Sequence, residues 1–401
     1  MLFSNLLLHV LILVTSTMNM NKVFSSNVGS QNLTLAYKTS IGCHSWGGKG
    51  CWNPWFTGSD SSPAISNKNS QVIVGSYDNF LYNLDLATGT VNWKTEGPGG
   101  EDSPKLSSDE LYVYAWGKIQ GSTLDKVRVA DGVIEWSWKS TSEKADITTA
   151  GAVDDDLNLV FAGTSGGIFS GISTVDGKTV WSVDMGNKGE MWGTLGPLDV
   201  DENTVCVGVG GNAVPYLDMG AKVVCLEKKT GDKIWETNTG KQIQSKPSMG
   251  ESNIYVGDYD GSLYGMDKTT GELLFRTKLG FIIESSSLVV NYNDREVVIV
   301  DSWDGNVSAV YGDNGSLFWK SKIADPHWEG GGVGSSPVYF PDNESIFLGG
   351  PTGVFELAVK DGSTLQFYET GHQCGSSPAI SENKERLVIA CEDGYFYGFA
   401  L

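Results

Sequence analysis

The chain has 401 residues, and 48 acidic against 28 basic side chains give it a formal charge of −20. That balance argues against nucleic acid or an anionic membrane surface as the main partner, since both demand basic patches. A hydrophobic share of 40% with 19% charged residues is that of a globular chain, neither disordered nor membrane-spanning.

At the N-terminus the run Leu6 to Val14 is apolar but too short to span a bilayer, and Thr15-Ser16 follow it with side chains small enough for cleavage. Residues 1–16 therefore read as a secretory signal peptide, 17–30 as a short segment, and 31–401 as one repeat array. No cysteine lies near the cleavage region, which excludes a bacterial-type lipid attachment there. Export in turn permits glycosylation at the four sequons, Asn32, Asn306, Asn314 and Asn343.

The array repeats a phrase of about 45 residues, within the range of a four-stranded propeller blade. Its first copy opens at Ser62-Pro63, continues through Val72-Ile73-Val74-Gly75-Ser76-Tyr77-Asp78 and Leu81-Tyr82-Asn83-Leu84-Asp85, and turns at Thr88-Gly89 before Trp93. Further copies begin near Asp102, Thr148, Trp192, Gln244, Glu284, Gly334 and Gly375. The turn recurs as Asp131-Gly132, Asp176-Gly177, Thr230-Gly231, Thr270-Gly271, Asn314-Gly315 and Asp361-Gly362, supplying the positive φ of tight hairpins. Four residues after each glycine stands Trp93, Trp136, Trp181, Trp235, Phe275 or Trp319; only the seventh copy differs, with Gln366 there and Phe367 one later. An aromatic at so fixed an offset reads as packing between sheets rather than as an active site. Asp258-Tyr259-Asp260-Gly261 likewise aligns with the hairpin turns of the other copies.

The eighth copy stops after its third strand, Tyr395 to Leu401, while Leu33-Thr34-Leu35-Ala36-Tyr37-Lys38-Thr39 reads like the fourth strand of copy one. If that segment completes the last blade, the ring closes and leaves only short, protected edges. The fold expected is all-β, an eight-bladed propeller of four-stranded antiparallel blades. The Gly-x-x-x-Trp signature, the Ser-Pro openings and the phrase Tyr255 to Tyr264 resemble pyrroloquinoline-quinone-like repeats over nearly the whole array. That family includes quinoprotein alcohol dehydrogenases and the bacterial outer-membrane-protein assembly propeller, a binding scaffold. The resemblance therefore implies the fold but not the function.

In such a blade the interblade loops share one face with the turns between strands two and three, around the mouth of the central channel. The unusual residues gather there. His44, Trp46, Trp52 and Trp55 fall in the longest loop; His327, Trp328 and Glu329 in another; His372 in a third; and Glu101, Asp102, Asp146, Glu190, Trp192, Gln244 and Glu284 elsewhere on the rim. Three uses are open. Trp and His favour a protein-binding surface. The same residues could line a small-molecule or glycan pocket, with Glu101, Asp146, Glu190, Glu284 or Glu329 as general acid or base. His44, His327 and His372 could converge on a metal ion, although no short HxH or HExxH spacing supports it. A quinone cofactor is disfavoured, because the family's dehydrogenases carry a disulfide between adjacent cysteines and this chain has no Cys-Cys pair.

Six cysteines in an exported chain suggest disulfides. Neighbouring strands favour Cys206–Cys225 and Cys374–Cys391; Cys43–Cys51 share a loop, with Cys43–Cys374 as the alternative. The combined expectation is a secreted, monomeric binding module with no bound cofactor, taking a small molecule, glycan or protein on its interblade-loop face. The alternative is an enzyme, acting on alcohols, sugars or polysaccharides, with its site in the same funnel.

Overall fold

The computed structural model describes residues 33–42, 59, 61–99, 103–117, 123–140, 147, 152–185, 199–200, 203–210, 221–324 and 334–401. They form eight four-stranded antiparallel sheets. Seven blades are built from consecutive strands; blade 5, for example, is Ser248–Met249, Asn253–Gly257, Ser262–Asp267 and Leu273–Lys278. The eighth takes Ala379–Ile380, Arg386–Cys391 and Tyr395–Ala400 from one end of the chain and Thr34–Ser40 from the other. Leu35 pairs with Phe399 and Lys38 with Tyr397, so the expected closure is present.

Second and third strands are buried on both faces, which is why they read as unbroken apolar runs such as Val72-Ile73-Val74. Fourth strands lie at the outer edge, and Val91–Glu96 and Leu273–Lys278 alternate exposed with half-buried residues. The core lies between sheets: Val297, Ile299 and Val307 of blade 6 pack on Ile346, Leu348 and Leu357 of blade 7. Val388, Ala390 and Phe396 of blade 8 pack in the same way on Val72, Val74 and Leu84 of blade 1.

On the face of the turns between strands three and four, each aromatic bolts its blade to the next. The Trp93 indole N–H donates to the Val129 carbonyl at 2.8 Å, and Trp136, Trp181, Trp235 and Trp319 make the same bond one blade further on. The turn glycine lies flat on that ring. Gly132 has φ +73°, and a Cβ there would fall 2.5 Å from Thr95 Oγ1 and 2.7 Å from Trp93 Cε3. Tyr37, in the closing strand, occupies the equivalent place against Gly89. The exception at Gln366 now has a reason: blade 8 takes its fourth strand from the N-terminal segment, so it offers no turn glycine to bolt.

Nearer the axis, the Ser-Pro openings link neighbouring blades. The main-chain N–H of Lys246 donates to Ser286 Oγ at 3.1 Å, Ser286 to Ser336 at 2.9 Å, Ser336 to Ser377 at 3.0 Å, Ser377 to Ser62 at 3.0 Å and Ser62 to Ser103 at 3.1 Å. This run crosses the closure without a break. Among the described residues no helix is long and apolar enough to cross a membrane.

Candidate functional site

The interblade loop from Leu279 to Ser285 shows how this face is built. It lies across two turns at once: the Ile283 N–H donates to the Asp258 carbonyl of blade 5, and the Trp303 N–H of blade 6 donates back to the Ile282 carbonyl. Phe281 N–H adds a bond to Ser302 Oγ at 2.9 Å. These bonds hold the main chain at Phe281 and Ile282 against Ser302 and Trp303, and the Phe281 and Trp303 side chains are 48% and 37% exposed.

Toward the axis the loops bring Gln244, Tyr259 and Glu284 together. The Tyr259 hydroxyl donates to Gln244 Oε1 and lies 3.4 Å from Glu284 Oε1. Burial and then the Glu284 carboxylate push its pKa well above the ordinary phenol value, so it stays a donor at any physiological pH. In the turn below, Asp258 is wholly buried and accepts from the Tyr264 hydroxyl at 3.0 Å and from the N–H groups of Asp260 and Ser262. Burial, then the neighbouring Asp260, push Asp258 up to about 6. Asp260 is held low instead: against burial, its bonds with Asp258 and Ser262 and the charges of Lys278 and Arg276 prevail. Asp258-Tyr259-Asp260-Gly261 is thus the hairpin turn that was expected, with one side chain reaching into the site.

Of the candidates named from sequence, Gln244 and Glu284 are brought together. His372 is exposed on the equivalent loop of blades 7 and 8, where its carbonyl accepts the Thr370 hydroxyl at 2.6 Å. His44, Trp46, Trp52, Trp55, Glu101, Asp102, Asp146, Glu190, Trp192, His327, Trp328 and Glu329 lie outside the described residues, and with them two of the three proposed metal ligands. Sequence reasoning missed Tyr259, Phe281, Trp303 and the buried Asp301. The signal for two of them was present, because Tyr77, Tyr259 and Trp303 hold the same place in their turns.

Two expected disulfides are formed. Cys206 and Cys225 face each other in register across strands two and three of blade 4, with Cα atoms 4.1 Å apart. Cys374 joins Cys391 at 4.0 Å, which removes Cys374 as a partner for Cys43. The Cys43–Cys51 pair lies outside the described residues.

The family model described as outer membrane protein assembly factor BamB matches residues 40–191 and 170–350. The chain belongs to this family. Its repeats are PQQ-like, as the Gly-x-x-x-Trp signature implied. BamB of Moranella endobia is 24% identical over 285 residues, covering 62% of this chain and 72% of that protein. A beta-alanine-activating enzyme of Drosophila melanogaster is 24% identical over 169 residues, but the match takes in 42% of this chain and only 16% of that enzyme. The crystal structure of BamB from Moraxella catarrhalis superposes with a TM-score of 0.65 at 18% identity, covering 92% of this chain and all of that one. At that identity the likeness speaks for the fold.

Proposed function

We propose that this BamB-like propeller is an exported module that binds a protein partner on its interblade-loop face. The observation that carries the reading is the exposure of Phe281 and Trp303, whose segments are bonded to each other, Phe281 lying on the loop that also supplies Glu284 to the Gln244–Tyr259–Glu284 contact. An aromatic anchor next to satisfied polar groups is the pattern of an interaction hot spot. Tyr395, also 37% exposed, is by contrast capped by Lys38 Nζ at 3.9 Å. Aliphatic residues exposed on outer strands, such as Val91, Val180 and Ile234, are spread over several blades, with Leu273 and Leu274 adjacent on blade 5. The name of the relatives, assembly factor, supports a binding role. Two disulfides support export, and the exposed Asn314 and Asn343 are the sequons best placed to carry glycans, with Asn306 half-buried.

A photo-crosslinking residue in place of Phe281, with Val175 on the opposite face as control, tests the proposal in the native source. A partner identified at position 281 and then purified should lose affinity about thirtyfold or more with F281A/W303A. Equal crosslinking at both positions, or unchanged affinity, overturns the reading. A catalytic use of the same face would rest on the Tyr259–Glu284 contact, and E284Q would then abolish turnover in a chain that still folds.

A further inference from the structure

Blade 6 departs from its neighbours at one buried position. In four other blades a serine near the axis clasps the end of strand two. Ser61 accepts the Gly75 N–H at 3.0 Å, Ser245 that of Gly257 at 3.0 Å, Ser335 that of Gly349 at 2.8 Å and Ser376 that of Ala390 at 2.9 Å. The clasped residue is always glycine or alanine, and a Cβ on Gly257 would fall 2.1 Å from Ile283 Cγ2. In blade 6 the aligned pair is Ser285 and Asp301. Here the clasp is gone: among the described residues neither Ser285 Oγ nor either Asp301 carboxylate oxygen has a hydrogen-bond partner. Both residues are buried, at 2% and 0% exposure.

An unpaired carboxylate enclosed in protein is expensive, and the group must either be neutralised by a proton or meet a positive charge. Burial drives its pKa up, and the Glu284 charge adds to the rise. No lysine or arginine among the described residues pairs with Asp301. The polar groups that act on it among the described residues carry oxygen, the Ser285 hydroxyl and the Glu284 carboxylate, which is the donor set of a hard cation rather than a soft one.

We propose that Asp301 and Ser285, with the Glu284 carboxylate beside them, hold one hard metal cation of the calcium type at the axial end of blade 6. The ion replaces the lost serine clasp and fastens the Leu279–Ser285 loop to strand two. Because Asp301 is wholly enclosed, the site is structural. Two carboxylates and a hydroxyl fill only part of a calcium shell, which main-chain oxygens or water would complete. That incomplete set points to weak affinity, about 10⁻⁴–10⁻³ M, as in extracellular modules. The site stands independently of whether Phe281 and Trp303 receive a partner.

The test uses the full purified chain, freed of divalent ions with EDTA and titrated with Ca²⁺ by calorimetry and by thermal unfolding. One equivalent should bind and raise the midpoint by about 2 °C or more at saturation. D301G, which restores the residue of the sister blades, should stay folded, weaken binding about tenfold or more and lose the shift, whereas D304N on the rim should keep both. No stoichiometric binding at several times the weakest expected affinity, or undiminished binding in D301G, overturns the site. Should D301G fail to fold, S285A takes its place, with an expected loss of about tenfold in affinity and unchanged affinity as the refuting result.

Discussion

The two faces of the ring obey different rules. On the face of the turns between strands three and four, every described blade from the first to the sixth solves one problem in one way, with a ring laid on a glycine of the next blade. On the interblade-loop face each blade does something of its own. At equivalent places stand Lys241, Phe281 and His372, or Gln244, Glu284 and Gly375. The repeated face holds the ring together, and the varied face is the one on which we propose that a partner binds.

That contrast breaks first if a bolt proves dispensable. W235A removes a buried indole and its bond to the Lys268 carbonyl and leaves a void between blades 4 and 5. It should cost about 3–5 kcal/mol in urea unfolding. A cost below about 1 kcal/mol would mean that the bolts are decoration.

On the same face, Lys228 Nζ pairs with Asp154 between blades 4 and 3, with side chains 5% and 11% exposed. K228M strands a buried carboxylate and should cost about 3–5 kcal/mol at pH 7. The pH dependence has a definite sign. Burial raises Asp154, but its bonds to Lys228 and the Leu157 N–H prevail and hold it below its usual pKa. Its contribution is therefore present above the unfolded pKa of about 4 and fades as the pH falls through the lower folded value. In K228M only main-chain N–H groups such as that of Leu157 still offset burial, so the deficit should narrow below about pH 4; a gap constant with pH would assign the loss to packing.

Third in size is the C374S/C391S pair. The bridge ties strand two of the closing blade to the loop before strand one. Its removal should cost about 2–4 kcal/mol, measurable as a lower urea midpoint at unchanged Ca²⁺ affinity.

The faces also differ in how much of them could be read in advance. Glycine at a fixed offset from tryptophan is imposed by sterics in blade after blade, so its spacing survived in the sequence and gave the blade count, the closure at Leu35–Phe399 and the structural role of the indoles. Cross-strand geometry likewise made Cys206–Cys225 legible. The rim offers no such redundancy. Tyr259 was visible only as part of a turn, because its contact with Gln244 and Glu284 depends on two loops meeting from different blades. Asp301 was hidden in an apolar run, Val297 to Val300, where a single acid reads as a strand end. Only its alignment with Gly75, Gly257, Gly349 and Ala390 exposes it as the odd member.

The smallest stability effect is the sharpest test of the comparison. Phe281 and Trp303 are exposed, and their main-chain bonds to Ser302 and Ile282 survive truncation of the side chains. F281A/W303A should therefore move the unfolding free energy by no more than about 0.5 kcal/mol per site, the range of surface substitutions. Its effect on partner binding should be among the largest on the molecule. A loss of several kcal/mol in stability would show that the pair packs the loop against blade 6, and that this face is held by the same logic as the other. Stability retained and binding lost would separate the two faces as a scaffold and the surface it carries.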